Sequence, residues 1–554
     1  MPTACRTIGG PGSGKTTRLL EIMEKCLDKV VSDPLRIGFV SFTRAARREA
    51  SSRAASKFGY TCSDLETQGF FRTLHSCCYK LLGITKGELL VGGKDDTDWL
   101  QDAVGDDRVR LDNRNGNNLD DDSFCVPASS GDSAQALAFW DVARNSFKPV
   151  TTIWEKAYQS AIAVPPLETC HGVIARYETA KARDGRLDYC DLLMRYAGHA
   201  WTGDHTHPFA RTRLEGDVPM LPVWIVDEAQ DNSPLLWAVF TRLVQPATYV
   251  YLAGDHLQAI YGWAGSDGSL FANYPVAKEE ELPISYRCLD RILDFGDSIL
   301  RAGGRPARAF RANQQGGEVT SVETLKALGN VKADEDTLVL ARTNDFAAEV
   351  ARRLTERGIP WKPIKGPGGF HAPARAAGVQ AILDLRAGKQ IDGTAVWHML
   401  KLMSSKVGTV ELWAHGCKTF FDDKDKRSKM APLDLASLED AGATGAFRKL
   451  VASEHYKTIF KEEPARIMAT AAERHGAEVA MNPRVRVGTT HASKGMEADH
   501  VVAVNHIPYP TVREIATKTG MDEERLVWYV TCTRARNKLT IAEGDGDRFP
   551  FVSV

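Results

Sequence analysis

Neither sign of charge is in excess: 70 Lys and Arg stand against 71 Asp and Glu, a formal net charge of −1. No global basic field therefore marks the chain for nucleic acid, although a local groove can bind phosphates inside a neutral protein. No long uncharged apolar run occurs, so no membrane-spanning helix is expected. The opening stretch MPTACRTIGGPGSGKTT lacks a charged region followed by an apolar one and a cleavage site, so no secretory leader is expected either. The 11 cysteines include no C-x-x-C pair, and apart from the adjacent Cys77 and Cys78 most stand alone. That scatter offers no clustered ligands for an iron–sulfur group and fits free, partly buried thiols in a reducing cytoplasm. No internal repeat, nuclease motif or partner-binding tail is visible.

What is present is a soluble globular composition, 43% hydrophobic and 25% charged. The length, 554 residues, exceeds one ordinary core and implies three or four domains. A glycine-rich turn is followed by a helical run at Lys15–Val30, a strand at Arg36–Phe42 and a helix at Arg44–Phe58. Further apolar strands are predicted at Pro222–Val226, Thr248–Leu252, Thr337–Ala341, Arg484–Thr489, Val501–Asn505 and Lys538–Ala542. The alternation predicts an α/β fold with two parallel sheets covered by helices. More than one domain's worth of chain separates the glycine-rich turn from the Asp227-Glu228 pair, which implies an insertion at 86–184. A mainly helical stretch at 374–475 reads as a second. The expected organisation is a first α/β domain at 1–85 and 185–281, and a second at 282–373 and 476–554. The polar centre of the first insertion, Asn113 to Asp122, reads as a solvated loop, as does its acidic run Asp120-Asp121-Asp122.

Gly9-Gly10-Pro11-Gly12-Ser13-Gly14-Lys15-Thr16 fits G-x-x-x-x-G-K-[ST] between a strand and a helix. Glycines let backbone N–H groups turn in around a polyphosphate, and the helix N-terminus adds its positive dipole end. Gly10, Pro11, Gly12, Ser13, Gly14, Lys15, Thr16 and Thr17 are thus expected to bind ATP. Lys15 would reach the β- and γ-phosphates, and Thr16 would bind Mg²⁺. Asp227 and Glu228 end an apolar strand. Asp227 suits the Mg²⁺ shell, and Glu228 suits activating the attacking water. A lone Asp-Glu pair is commonly a surface helix cap; its company here is a phosphate loop.

Further segments follow in order: FVSFTRAA at residues 39–46, RTLHS at 72–76, LDYCDLL at 187–193, VDEAQD at 226–231, GDHLQAIYGWAG at 254–265, ISYR at 284–287, THASKGME at 490–497 and YVTCTRA at 529–535. Together they resemble the ordered motifs of the UvrD/Rep/PcrA-like superfamily 1 DNA helicases; the two insertions carry none. The resemblance implies two RecA-like P-loop NTPase domains, each interrupted by a mainly helical inserted subdomain. It implies an ATP-dependent motor that moves 3′ to 5′ along single-stranded DNA and unwinds duplex at single/double-strand junctions.

By that resemblance Gln258 would sense the γ-phosphate or attacking water, and Arg287 and Arg534 would act as arginine fingers across an interdomain cleft. A guanidinium is always charged and can meet phosphate oxygens bidentately. Tyr286 would stack on adenine and Glu497 would hydrogen-bond the ribose. Phe42, Tyr261 and Trp263 are candidate base-stacking residues; Thr43, His75, Thr490 and His491 are candidate phosphate or sugar contacts. An isolated aromatic is more often core, but Trp263 lies in a glycine-flanked loop; a histidine such as His75 can simply cap a helix. Ala264 stands where the family's motif usually carries Arg. Ahead of Gly9 there is no Gln or Asn to read the adenine edge, so poor discrimination among nucleotide bases is expected. His199, His205 and His207 read as part of a solvated polar loop rather than a zinc site. Two alternatives stay open: a translocase that displaces proteins with little unwinding, and a DNA-binding scaffold that merely retains its ATP site. An RNA substrate is a third.

Overall fold

The computed structural model describes residues 2–41, 44–111, 131–160, 162–305, 310–365 and 372–552. Phe42, Thr43 and the Asn113–Asp122 segment lie outside the described residues. The chain forms two compact units. One comprises Met1–Gly317, Lys494–Met496 and Ile507–Asn537; the other comprises Glu318–Ser493, Glu497–His506 and Lys538–Val554.

The first unit is built on β1 (Thr3–Gly9), β2 (Ile37–Ser41), β3 (Phe70–Arg72), the separate hairpin strands β4 (His199–Trp201) and β5 (Phe209–Arg211), then β6 (Val223–Asp227), β7 (Tyr249–Gly254) and β8 (Lys278–Leu282). Six of these form one sheet in the order β3-β2-β6-β7-β1-β8, every pair parallel. Strands β2 and β6 are buried along their whole length, because helices cover both faces of a parallel sheet. Alternate residues serve opposite cores. Phe39, Ile225 and Ala253 pack with Leu19, Leu20, Met23 and Leu27 of the helix Lys15–Lys29. Val40, Trp224, Val226 and Leu252 pack with Leu235, Val239 and Phe240 of the helix Pro234–Leu243. The edge strand β8 reads KEEEL and is tied down by Arg6–Glu279 and Arg18–Glu280 ion pairs. Its charges suit an edge that must not recruit another strand. A two-residue parallel ladder, β9 (Ile284–Ser285) with β10 (Arg311–Ala312), follows.

Between β3 and β6 the chain is mainly helical, with helices Lys94–Val104, Asp132–Ser146, Val150–Gln159 and Leu167–Asp184 packed around Trp140. The LDYCDLL motif sits at the root of this insertion. Asp188 and Asp191 form a reciprocal capping box on the helix Tyr189–Ala197. Asp188 also accepts from Arg144 at 2.9 and 2.8 Å, from Lys181 at 2.9 Å and from Tyr177 at 3.0 Å. Lys181 reaches Asp191 at 2.7 Å and Glu178 at 3.0 Å, and Arg144 reaches Asp141 at 2.5 Å. The motif's carboxylates therefore stitch three helices together.

The second unit holds β11 (Glu318–Glu323), β12 (Thr337–Ala341), β13 (Trp361–Pro363), the short hairpin β14 (Lys406–Val407) and β15 (Val410–Glu411), then β16 (Val485–Thr489), β17 (Ala498–Asn505) and, from Lys538 on, β18 (Ala535–Glu543). Its sheet has the order β11-β18-β17-β12-β16-β13, with parallel registers at β11–β18, β12–β17, β12–β16 and β13–β16. Between β13 and β16 lies a mainly helical segment whose core includes Phe421, Phe447, Tyr456, Phe460 and Met468. The fold class is thus two six-stranded parallel-sheet α/β assemblies with mainly helical insertions. No helix among the described residues is long and apolar enough to cross a membrane.

Candidate nucleotide site and nucleic-acid contacts

β1 runs into the loop Gly9–Gly14, and the helix Lys15–Lys29 starts directly after it at the carboxyl edge of the sheet. The loop needs its glycines. Gly14 is left-handed at φ 82°, and Gly12 at φ 66° has no room for a Cβ, which would run into Arg287 Cβ. Lys15 is almost fully buried, and its Nζ donates to the carbonyls of Gly9 (2.9 Å) and Gly10 (3.3 Å). Ser13 Oγ is buried without a hydrogen-bond partner among the described residues. A buried cation on neutral carbonyls and an orphan hydroxyl, both in one glycine loop, suit a polyphosphate. Thr17 lies exposed on the first turn.

β6 delivers Asp227, whose Oδ2 accepts from Thr16 Oγ1 at 2.6 Å. Burial, reinforced by the neighbouring Glu228, pushes the Asp227 carboxyl up to about 6. Two oxygens this close could supply a third of an octahedral hard-cation shell. Glu228 adopts a left-handed φ of 54°, uncommon for a side-chain-bearing residue. Its N–H donates to Asp227 Oδ1 at 2.9 Å, and its Oε2 accepts from Gln230 Nε2 at 2.5 Å. Burial would raise its carboxyl, but Lys15 and Lys494, followed by Gln230 and Arg534, outweigh that and hold it below the usual range. The buried pair is thus split, one carboxyl raised and one lowered.

β7 ends at Gly254, and the Asp255 N–H donates to Gln230 Oε1 at 3.0 Å. Gln258 is buried with its amide held at both ends: Nε2 donates to Asp255 Oδ2 at 2.8 Å, and Oε1 accepts from Arg534 Nη2 at 3.1 Å. Arg534, 2% exposed, also donates to the Val530 and Met496 carbonyls. The ISYR segment lies against the phosphate loop. Ser285 Oγ donates to the Pro11 carbonyl at 2.7 Å and the Tyr286 N–H to the Gly12 carbonyl at 2.9 Å. The Tyr286 ring is 68% exposed, so it is no core residue. Lys15, Thr16, Asp227, Glu228, Gln258, Tyr286, Arg287 and Arg534 therefore all belong to one unit.

Just beyond Gln258 the chain carries Tyr261, half-buried, and Trp263, 55% exposed, their ring centroids 6.5 Å apart. Ala264, where the resemblance leads one to look for Arg, is buried. His75 sits in the first turn of the helix Leu74–Leu82, but the cap is Thr73, whose side chain accepts from the Ser76 N–H at 3.3 Å. The His75 ring packs edge-on against Tyr189 at 6.2 Å. His75 and Asp227 line a common small, open pocket at the carboxyl ends of β2 and β6, together with Ser41 and Asn232. In the second unit, Thr490 is buried with its N–H on the Ala341 carbonyl, His491 is half-buried, and the Glu497 carbonyl accepts from Arg486 at 3.0 Å.

Sequence reasoning assigned no part to Ser285, Gln230, Asp255, Asp231 or Lys494. Lys494 Nζ donates to Asp231 Oδ1 at 2.5 Å and to the Gln258 carbonyl at 2.6 Å. The histidines also differ from the solvated-loop expectation. His205 stacks on His171 with centroids 3.9 Å apart, and His199 lies 4.7 Å from Phe147; His207 alone of the three is strongly exposed. Among the described residues, the carboxylates close enough to share a metal are Glu178, Asp188 and Asp191, each of which is already ion-paired to Arg144 or Lys181.

A phosphate loop opening a helix at the edge of a parallel sheet, with Asp-Glu ending a strand of that sheet, defines the P-loop NTPase fold class. Residues 3–276 match the model of the UvrD/REP helicase N-terminal domain, and residues 452–544 match the UvrD-like helicase C-terminal domain. The chain belongs to the UvrD-like helicase family. It is 24% identical over 391 residues to the ATP-dependent DNA helicase PcrA of Leuconostoc citreum, covering 65% of this chain and 47% of that protein. It is 23% identical over 619 residues to the putative ATP-dependent DNA helicase YjcD of Bacillus subtilis, covering 97% of this chain and 76% of that protein. A Staphylococcus aureus PcrA is 23% identical over 388 residues, 65% of this chain and 48% of that protein. The chain thus spans about half the length of the PcrA relatives it matches.

Proposed function

We propose that the chain is an ATP-driven motor that moves 3′ to 5′ along single-stranded DNA and unwinds duplex at junctions. The observation that carries this reading is Gln258. Its amide joins Asp255 to Arg534 in the unit that holds the phosphate loop, and it lies three residues before Tyr261 and five before the exposed Trp263. One short segment therefore touches both the candidate hydrolytic groups and the candidate base-stacking rings.

In this reading the loop N–H groups and Lys15 bind the ATP phosphates, and Lys15 gives up two neutral carbonyls to do so. Thr16 and Asp227 would hold Mg²⁺, which when bound neutralises phosphate charge. Glu228, kept ionised by the surrounding cations, orients and deprotonates the attacking water, with Gln258 beside it. Arg287 and Arg534 stabilise the charge that develops on the transferred phosphoryl group. Tyr286 stacks on the base and Glu497 binds the ribose. Tyr261 and Trp263, with Phe42, stack on bases without reading sequence, while Thr43, His75, Thr490 and His491 hold the backbone. ATP and its products favour different states of the protein, and the alternation of grip becomes a step. The relatives named as ATP-dependent DNA helicases support the same reading.

The experiment is unwinding of duplexes with either a 3′ or a 5′ single-stranded tail, with ATP and Mg²⁺. Strand separation from the 3′-tailed substrate is expected. Separation only from a 5′ tail would overturn the polarity, and ATP turnover without separation of either would favour a protein-displacing translocase.

A further inference from the structure

Lys494 is itself part of the first unit and lies beside the site just described. Its side chain is 4% exposed and that of Asp231 is fully buried. The ammonium has three donors. One meets Asp231 Oδ1 at 2.5 Å and one the Gln258 carbonyl at 2.6 Å. The Tyr261 ring centroid lies 5.1 Å from the same Nζ, within cation–π range. Asp231 Oδ2 has no hydrogen-bond partner among the described residues, so this carboxylate depends on Lys494 for its compensation. Burial pushes the Asp231 carboxyl up to about 7 even with the ammonium beside it. The Asp231 N–H in turn donates to the Glu228 carbonyl at 3.1 Å, so the same segment carries Glu228. One ammonium is thus bonded to the Asp-Glu segment, bonded to the backbone of Gln258, and set against the ring of a candidate DNA-stacking residue.

We propose that Lys494 is a positioning residue that couples occupancy of the Tyr261 ring by single-stranded DNA to the placement of Gln258 and Glu228. The inference rests on the motor reading above. A base stacking on Tyr261 shifts the ring against the ammonium. The ammonium can only follow by moving its bonds to Asp231 and the Gln258 carbonyl, and Gln258 moves with its backbone. Lys494 need not touch ATP or DNA.

The test is ATP turnover of the full chain with and without a saturating thymidylate single strand. The variants are the Lys494→Met/Asp231→Asn double substitution and Lys494→Gln. The double substitution removes both buried charges together, which avoids leaving a lone buried carboxylate. Lys494→Gln keeps an amide donor for Asp231 and serves should the double variant not fold. The expected result is a fall of about tenfold or more in the ratio of DNA-stimulated to basal kcat, with KM for ATP changed less than about threefold, since roughly 1.4 kcal/mol of coupling corresponds to a factor of ten. Stimulation within twofold of wild type in a folded variant would overturn the role of Lys494 alone. A wild-type chain whose turnover ignores single-stranded DNA would overturn the motor reading and this inference with it.

Discussion

Two buried clusters of the first unit use the same residue types in opposite ways. At the root of the first insertion, Arg144 and Lys181 spend their bonds on Asp141, Glu178, Asp188 and Asp191. At the phosphate loop, Lys15 donates to two carbonyls, although Asp227 and Glu228 stand nearby. Two cations shared among four carboxylates make a network whose worth lies in holding three helices in register. Cations resting on neutral oxygens can be drawn away by phosphates at small cost. The first arrangement is structural, the second suits a ligand, and composition alone would not separate them.

The comparison breaks most sharply if the phosphate-loop cluster proves dispensable. Lys15→Ala and Glu228→Gln should each lower ATP turnover by about 100-fold or more, the scale of losing one preorganised electrostatic group, while leaving the melting temperature near that of wild type. Near wild-type turnover in either variant would remove the hydrolytic assignment. The converse holds for the insertion root. Arg144→Met leaves Asp188 and Asp141 buried beside one cation fewer, and should cost about 3–5 kcal/mol of stability in a denaturant melt. A loss below about 1 kcal/mol would mean that the network is not the structural tie its geometry indicates.

How far each cluster could be read from the sequence follows the same division. Thr337–Ala341 and Arg44–Phe58 are legible to the residue, because an unbroken apolar run and a helix-forming run stand between clear breaks. β8 is not legible: KEEEL has no apolar face and owes its ladder to β1. β17 begins at Ala498, ahead of the predicted Val501, because Asp499 and His500 mask the run. Lys15, Thr16, Asp227 and Glu228 are legible since each stands in a contiguous motif. The Lys494–Asp231 and Ser285–Pro11 contacts join residues 263 and 274 positions apart, which leaves no local pattern to find. The His205 stack on His171 is hidden for the same reason.

Smaller effects sharpen the comparison at the surface. Trp263→Ala should weaken single-stranded DNA binding by about 1–3 kcal/mol, the usual worth of one base–aromatic stack, with ATP binding intact. Unchanged affinity would take Trp263 out of the DNA path. The smallest effect concerns the His171–His205 stack. Burial lowers both imidazole pKa values, and each His205 proton is further opposed by His171; Glu168 and Asp204 act the other way. The folded state thus binds protons less readily than the unfolded one. Local stability is therefore present above the ordinary histidine pKa of about 6.5 and is lost as pH falls below it. Amide protection factors in the β4–β5 hairpin, corrected for the intrinsic pH dependence of exchange, should fall between neutral pH and pH about 5.5, and lose that dependence in His205→Phe.

The central claim is that nucleic acid at the Tyr261–Trp263 segment and hydrolysis at Glu228 are two ends of one device. The most direct measurement is steady-state ATP turnover of the wild-type chain titrated with a thymidylate single strand, in the presence of Mg²⁺. The account predicts a saturable rise of about tenfold or more. A rate that stays flat across the titration would contradict it.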